Sequence, residues 1–167
     1  MQTSIRFPSI ALLFTIALGT ACDQNQDQDS GNEAGDGDTE LCAAQANSGA
    51  VILESQLDTS YPTPAGGTLV DGAWDLVRFE VYSPATADDH TRAERLIISG
   101  DTLISIRSDN QDPDQIIGST FVVNGTNLDF TVICPSSGSI SVPFTATDTE
   151  LWLFDPQQSD VKIYAKQ

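Results

Sequence analysis

From residue 73 onward, apolar and polar residues alternate in short runs separated by turn residues. That period of two marks strands with one buried and one wet face. Ala73 to Tyr82, Glu94 to Ser99, Thr102 to Arg107 and Ser119 to Val123 each read as a strand. So do Leu128 to Cys134, Ile140 to Thr147, Leu151 to Phe154 and Val161 to Lys166. In the fifth of these, Leu128, Phe130, Val132 and Cys134 share a face, with Asp129 and Thr131 opposite. Gly100-Asp101 and Asn124-Gly125 are turn signals, the second a strong hairpin signal. A leading strand is expected around Val51 to Glu54, and Tyr61 to Gly67 reads as a loop. No stretch after residue 42 has a 3.6-residue period. The expected fold is all-β, an antiparallel up-and-down barrel of about eight strands, which leaves no open edge; a two-sheet sandwich is the alternative.

The first 21 residues follow another pattern. Arg6 precedes an apolar run from Phe7 to Leu18 that contains Pro8 and Ser9, then Gly19, Thr20 and Ala21. The run falls short of the roughly 20 apolar residues that span a bilayer, and reads as a secretory signal peptide over residues 1–21. Leu18-Gly19-Thr20-Ala21-Cys22 resembles the lipobox of bacterial lipoproteins, with Gly19 where that family usually has Leu. The resemblance implies cleavage before Cys22, diacylglycerol on its thiol and an acylated (palmitate-type) amino group. It places the protein in the bacterial cell envelope, on the inner or the outer membrane. The alternative is an ordinary signal peptide with an incidental Cys22.

Charge adds a tether. The chain of 167 residues has 24 acidic and 7 basic side chains, a net charge of −17. Seven of the acids fall between Asp23 and Glu40, where there is no Lys, Arg or aromatic residue. Such a segment cannot bury enough apolar surface to offset its ordering entropy, so residues 22–41 read as a lipidated Cys followed by a disordered spacer. Its run of 18 residues from Asp23 to Glu40 spans roughly 23 Å as a flexible coil. Its acids lack the order of a calcium loop. Arg6 lies in the signal, so the domain from residue 42 to 167 keeps 17 acids against 6 bases, or −11. The imbalance argues against nucleic acid and against docking on anionic lipid headgroups.

Two cysteines remain, Cys42 and Cys134. An even count in an oxidising compartment suggests a disulfide, with two free buried thiols as the alternative; no Cys or His nearby completes a metal tetrahedron. Asp88-Asp89-His90 reads as a polar loop and Asp109 to Asp114 as an acidic hairpin loop. There is no nucleophile elbow, phosphate loop or His-Glu-x-x-His. No enzymatic activity, metal or cofactor is expected.

Gly72-Ala73-Trp74 at the head of the first long strand is similar to the lipocalin Gly-x-Trp signature. The segments ERLIISGDTL and LWLFDP, with the closing YAKQ, resemble small lipocalin-like lipoproteins of bacteria. The resemblance covers Gly66 to Gln167 in outline; the family's Thr-Asp-x-x-Tyr element is missing, since Thr147-Asp148 runs on to Leu151. It implies that Trp74 plugs one end of a barrel under a basic side chain of the last strand, Lys162 or Lys166, with Gly72, Trp74 and Lys162 as the signature set. It also implies a small hydrophobic ligand against Trp74, Phe130, Val132 and Phe144, or else an envelope protein partner, bound by a lipid-anchored monomer. The alternative is a structural or interaction module with a filled interior.

Overall fold

A computed structural model describes residues 41–43 and 45–167. The expected signal peptide, Cys22 and the expected tether through residue 40 lie outside them. The described chain is all-β, with β1 (Ile52–Leu57), β2 (Gly72–Tyr82), β3 (Thr91–Ser99), β4 (Thr102–Asp109), β5 (Gln115–Asn124), β6 (Asn127–Cys134), β7 (Gly138–Ala146), β8 (Glu150–Asp155) and β9 (Asp160–Lys166).

Strands β2 to β9 follow one another as an antiparallel meander, and β2 also pairs with β9, so the sheet closes in a ring. Alternation sets the inward row. On β3 it is Arg92, Glu94, Leu96 and Ile98, directly opposite Asp109, Arg107, Ser105 and Leu103 of β4. Side chains therefore pass from charged to apolar along the same pair of strands.

The ninth strand is a wedge. β2 pairs with β3 only from Gly72 to Asp75, and beyond that the two strands part. β1 enters the gap, parallel to β2 from Glu54↔Phe79 to Leu57↔Tyr82 and antiparallel to β3 at Ile52↔Arg92. Its inward Ile52 packs on the interior, while Leu57 joins a cluster on the outer face with Tyr82, Phe154, Val161 and Ile163.

At the end where β2 starts, the ring is closed by its own chain. Gly66 bridges to Thr145 on β7, and Leu69 and Val70 pack against Trp74, Leu76, Phe144 and Leu151. Trp74 Nε1–H donates to Val70 O at 3.1 Å. Gly72 enters β2 at φ 139°, a region L side chains rarely adopt, and a Cβ there would sit 3.0 Å from Lys166 Cε. The Lys166 stem thus lies against Gly72 while its Nζ stands 5.9 Å from the Trp74 ring centre.

Lys166, not Lys162, is the basic residue over Trp74. The register pairs Trp74 with Lys166, whereas Lys162 faces Phe79 beyond a bulge at Leu76/Arg78. The β5–β6 hairpin also differs by one residue from the Asn124-Gly125 expectation. Asn124 pairs with Asn127, so the loop is Gly125-Thr126, with Gly125 at φ 62°.

Cys42 and Cys134 form a disulfide, with Cα atoms 6.2 Å apart. It ties the start of the domain to β6. The following segment lies along β3, where Asn47 Nδ2–H donates to Ala93 O at 2.8 Å.

Candidate functional site

The interior is packed at one end and hollow at the other. A cavity of about 470 Å³ is lined by Arg92, Glu94, Arg107, Lys162 and Tyr164, with Val142 and Leu153 among its apolar walls. That volume lies in the usual range for small-molecule sites, roughly 300–1,000 Å³. Its mouth follows from the pairing. β7 contacts β8 only from Phe144 to Ala146, so Gly138 to Pro143 stand apart from the far end of β8. Ile140 to Pro143 form one lip and Asp155 to Gln157 the other. Pro143 suits such an edge, because it has no N–H to leave unpaired. Ile140 points into the mouth and is 58 % exposed.

Buried polar groups form the inner wall. Glu94 accepts from Ser105 Oγ at 2.7 Å and from Tyr164 Oη at 3.0 Å. Arg92 Nε–H donates to Asp109 Oδ1 at 2.6 Å, and Arg92 Nη1 lies 4.0 Å from Glu94 Oε2. Burial opposes the Arg92 charge, but Asp109 and Glu94 outweigh it and hold the guanidinium above its usual range. Burial likewise would raise Asp109, yet the hydrogen bond and charge of Arg92, with the charge of Arg107, hold it below the usual carboxylate range. Tyr164 is pushed well above an ordinary phenol, first by burial and then by the charge of Glu94.

Two cations flank one aromatic ring. Arg92 Cζ lies 5.3 Å and Lys162 Nζ 4.9 Å from the centre of Phe79, both at cation–π distance. Lys162 Nζ also donates to Asp160 Oδ1 at 2.7 Å, and Asp160 is buried. Arg107 is less well served. Its Nη2–H donates to Gln115 Oε1 at 3.3 Å, and its Nε lies 3.8 Å from Asp109 Oδ2. Among the described residues, Arg107 Nε is the one buried side-chain polar atom without a hydrogen-bond partner. Such orphans are uncommon in folded proteins.

Half of the domain's six bases (Arg92, Arg107 and Lys162) therefore line one cavity of a domain with 17 acids. Net charge gave no hint of this, since it cannot say where charges gather. The inward rows on β3 and β4 carry the signal: Arg92-x-Glu94 faces Arg107-x-Asp109 across a two-residue turn.

The residues expected to hold an apolar ligand lie elsewhere. Trp74 and Phe144 are fully buried in the packed half, and Phe130 is buried beside Phe121, ring centres 6.0 Å apart. Val132 is half-buried further along the Phe130 row. None of the four lines the larger cavity; Phe130 borders a smaller groove of about 280 Å³ with Ile140.

His90 is held, not solvated. Its Nδ1 lies 3.2 Å from Glu54 Oε1 and its Nε2 3.3 Å from Asp109 Oδ1, with the ring edge-on to Phe79. Glu54, Asp88 and His90 bring one ligand-type atom each within 4.8 Å of one another. The trio also bonds internally, Asp88 N–H to Glu54 Oε2 at 3.1 Å and His90 N–H to Asp88 Oδ1 at 2.8 Å. It clamps the β2–β3 loop onto the β1 wedge.

No family model, no curated protein and no solved structure matches this chain.

Proposed function

We propose that this protein is a cell-envelope lipoprotein, anchored through Cys22, whose lipocalin-like barrel takes up a small molecule. The cavity of about 470 Å³ carries this reading, because it opens where the apolar packing of the interior stops. A segment with a simple structural role gains little from half-buried cations beside such a space. Each costs desolvation that an apolar filling avoids. The Lys166–Trp74 contact and Gly72 agree with the signature that suggested the barrel.

The packed half around Trp74, Leu96 and Phe144 favours the second reading, an interaction module without a ligand. Mass spectrometry of organic extracts from the purified native protein separates the two. The binder predicts a recurrent co-purifying small molecule, and its repeated absence counts for the interaction module. The anchor has its own test: Cys22→Ser releases the protein from the membrane fraction, and a variant that stays bound contradicts lipidation there.

A further inference from the structure

We propose that Glu54, Asp88 and His90 form a binding site for a divalent transition-metal ion of the zinc class, apart from the cavity and independent of what fills it. Each of the three spends one atom on its own placement and keeps another free. Glu54 accepts Asp88 N–H at Oε2, and its backbone N–H donates to His90 O at 3.0 Å, so β1 fixes the loop. Asp88 accepts His90 N–H at Oδ1, while its Oδ2 has no donor among the described residues. His90 sets Nε2 3.3 Å from Asp109 Oδ1 and turns Nδ1 toward Glu54 Oε1. One ligand atom from each residue then lies within 4.8 Å of the other two.

A shortage of protons is the second ground. A neutral imidazole carries one N–H, yet both ring nitrogens of His90 face a carboxylate oxygen. With the proton on Nε2 toward Asp109, the Nδ1 lone pair stands against Glu54 Oε1 with nothing between them. A doubly protonated ring would serve both carboxylates, but the distances oppose it. Where this structure buries a cation against a carboxylate the contact is short, 2.6 Å for Arg92 with Asp109 and 2.7 Å for Lys162 with Asp160. His90 stands off at 3.2 and 3.3 Å. Two neighbouring ligands on a tetrahedral zinc ion, with bonds of about 2.0 Å, lie ~3.3 Å apart. The Asp109 contact is then the outer carboxylate that metal-bound histidines carry, which fixes tautomer and ring orientation. Arg92, the cation beside this group, is held on Asp109 and over the Phe79 ring. An imidazole with two carboxylates suits Zn²⁺ better than Ca²⁺ or Mg²⁺, which take oxygen ligands. The domain's charge of −11 favours any cation over the whole approach.

His90 is the sole histidine of the chain, so its ring nitrogens can be followed by NMR without ambiguity. Zinc chloride added to the metal-free, untagged full chain is expected to move the Nδ1 signal and to saturate at one ion per chain. Calcium chloride at the same concentration is expected to leave that signal in place. A His90 signal that zinc does not move, or that calcium moves equally, overturns the site; this measurement uses the unaltered chain and stands whether or not a variant folds. Calorimetric titration with zinc chloride adds the ligands. His90→Gln is expected to remove the saturable event, and Glu54→Gln and Asp88→Asn to weaken it more than Asp109→Asn, which removes only the orienting carboxylate and costs about tenfold. Zinc binding that survives unchanged in His90→Gln places the ion elsewhere, on the acids of residues 23–40 or on the Cys22 thiol, and also overturns the site.

Discussion

Tyr164 and Glu94 are 70 residues apart in sequence and share a buried hydrogen bond of 3.0 Å inside the ring. The bond joins the last strand to β3 where the apolar interior gives way to the cavity. Tyr164→Phe leaves one carboxylate oxygen of Glu94 short of its donor in a buried setting. The expected loss is about 1–3 kcal/mol. Urea unfolding checks it: the midpoint falls with an unchanged slope. An unaltered midpoint contradicts the role given to this bond.

The three tyrosines share a second property. Tyr61 is pushed up to about 12 by burial and then by the charges of Asp160 and Asp155. Tyr82 is raised by burial and then by its hydrogen bond to Glu80, and Tyr164 is raised as well. In the unfolded chain each ionises near about 10. The folded values stand above the unfolded ones. Their stabilisation is therefore complete below about pH 10 and is lost as pH rises through the folded values. Phenolate absorbance is expected to show no tyrosine titrating at its ordinary value in the native protein, and all three doing so in urea. One tyrosine with an ordinary native midpoint contradicts this.

Asp109 works in the opposite direction. Burial raises its pKa, but Arg92 overrides that and the folded value lies below the unfolded one. Its contribution is present above the unfolded carboxylate range, about 3.9, and is lost as pH falls through the folded value. Asp109→Asn is expected to lower stability at neutral pH and to flatten its fall in acid. Unfolding midpoints measured across pH check both; an acid limb as steep as that of the unaltered chain contradicts the pairing.

The disulfide closes a loop with a sequence separation of 92 between Cys42 and Cys134. In the chain-entropy model its loss costs about 4–5 kcal/mol. Unfolding with and without reductant measures that loss directly. Gly118 is tied to the same bridge, since a Cβ there would meet Cys134 Sγ at 2.8 Å and Leu41 Cδ2 at 3.1 Å. Gly118→Ala is expected to destabilise the oxidised protein, and a wild-type melting temperature contradicts that contact.

Strand positions were legible because each strand alternates locally, as in Leu128, Phe130 and Val132 against Asp129 and Thr131. Closure of the ring was anticipated from strand number, while the wedge of β1 was not. Its six residues pair in opposite senses with β2 and β3, and no local pattern encodes that. The lining of the cavity was not legible for a related reason. Apolar residues draw attention to a core, and here Trp74 and Phe144 fill it. The hollow lies beyond them, where Arg92 and Arg107 meet Tyr164 from the far end of the chain. His90 likewise found Glu54 and Asp109 at separations that sequence alone leaves unmarked.

The most direct test follows two side-chain N–H resonances by NMR as the organic extract of the native protein is added back to the full chain. Arg107 Nε–H lines the charged half, and Trp74 Nε1–H is bonded to Val70 O in the packed half. A ligand in the cavity moves the Arg107 signal in saturable fashion and leaves that of Trp74 in place. Movement of Trp74 with Arg107 unchanged puts the ligand in the apolar half, and no movement of either leaves the cavity without an occupant; each result contradicts the site described here.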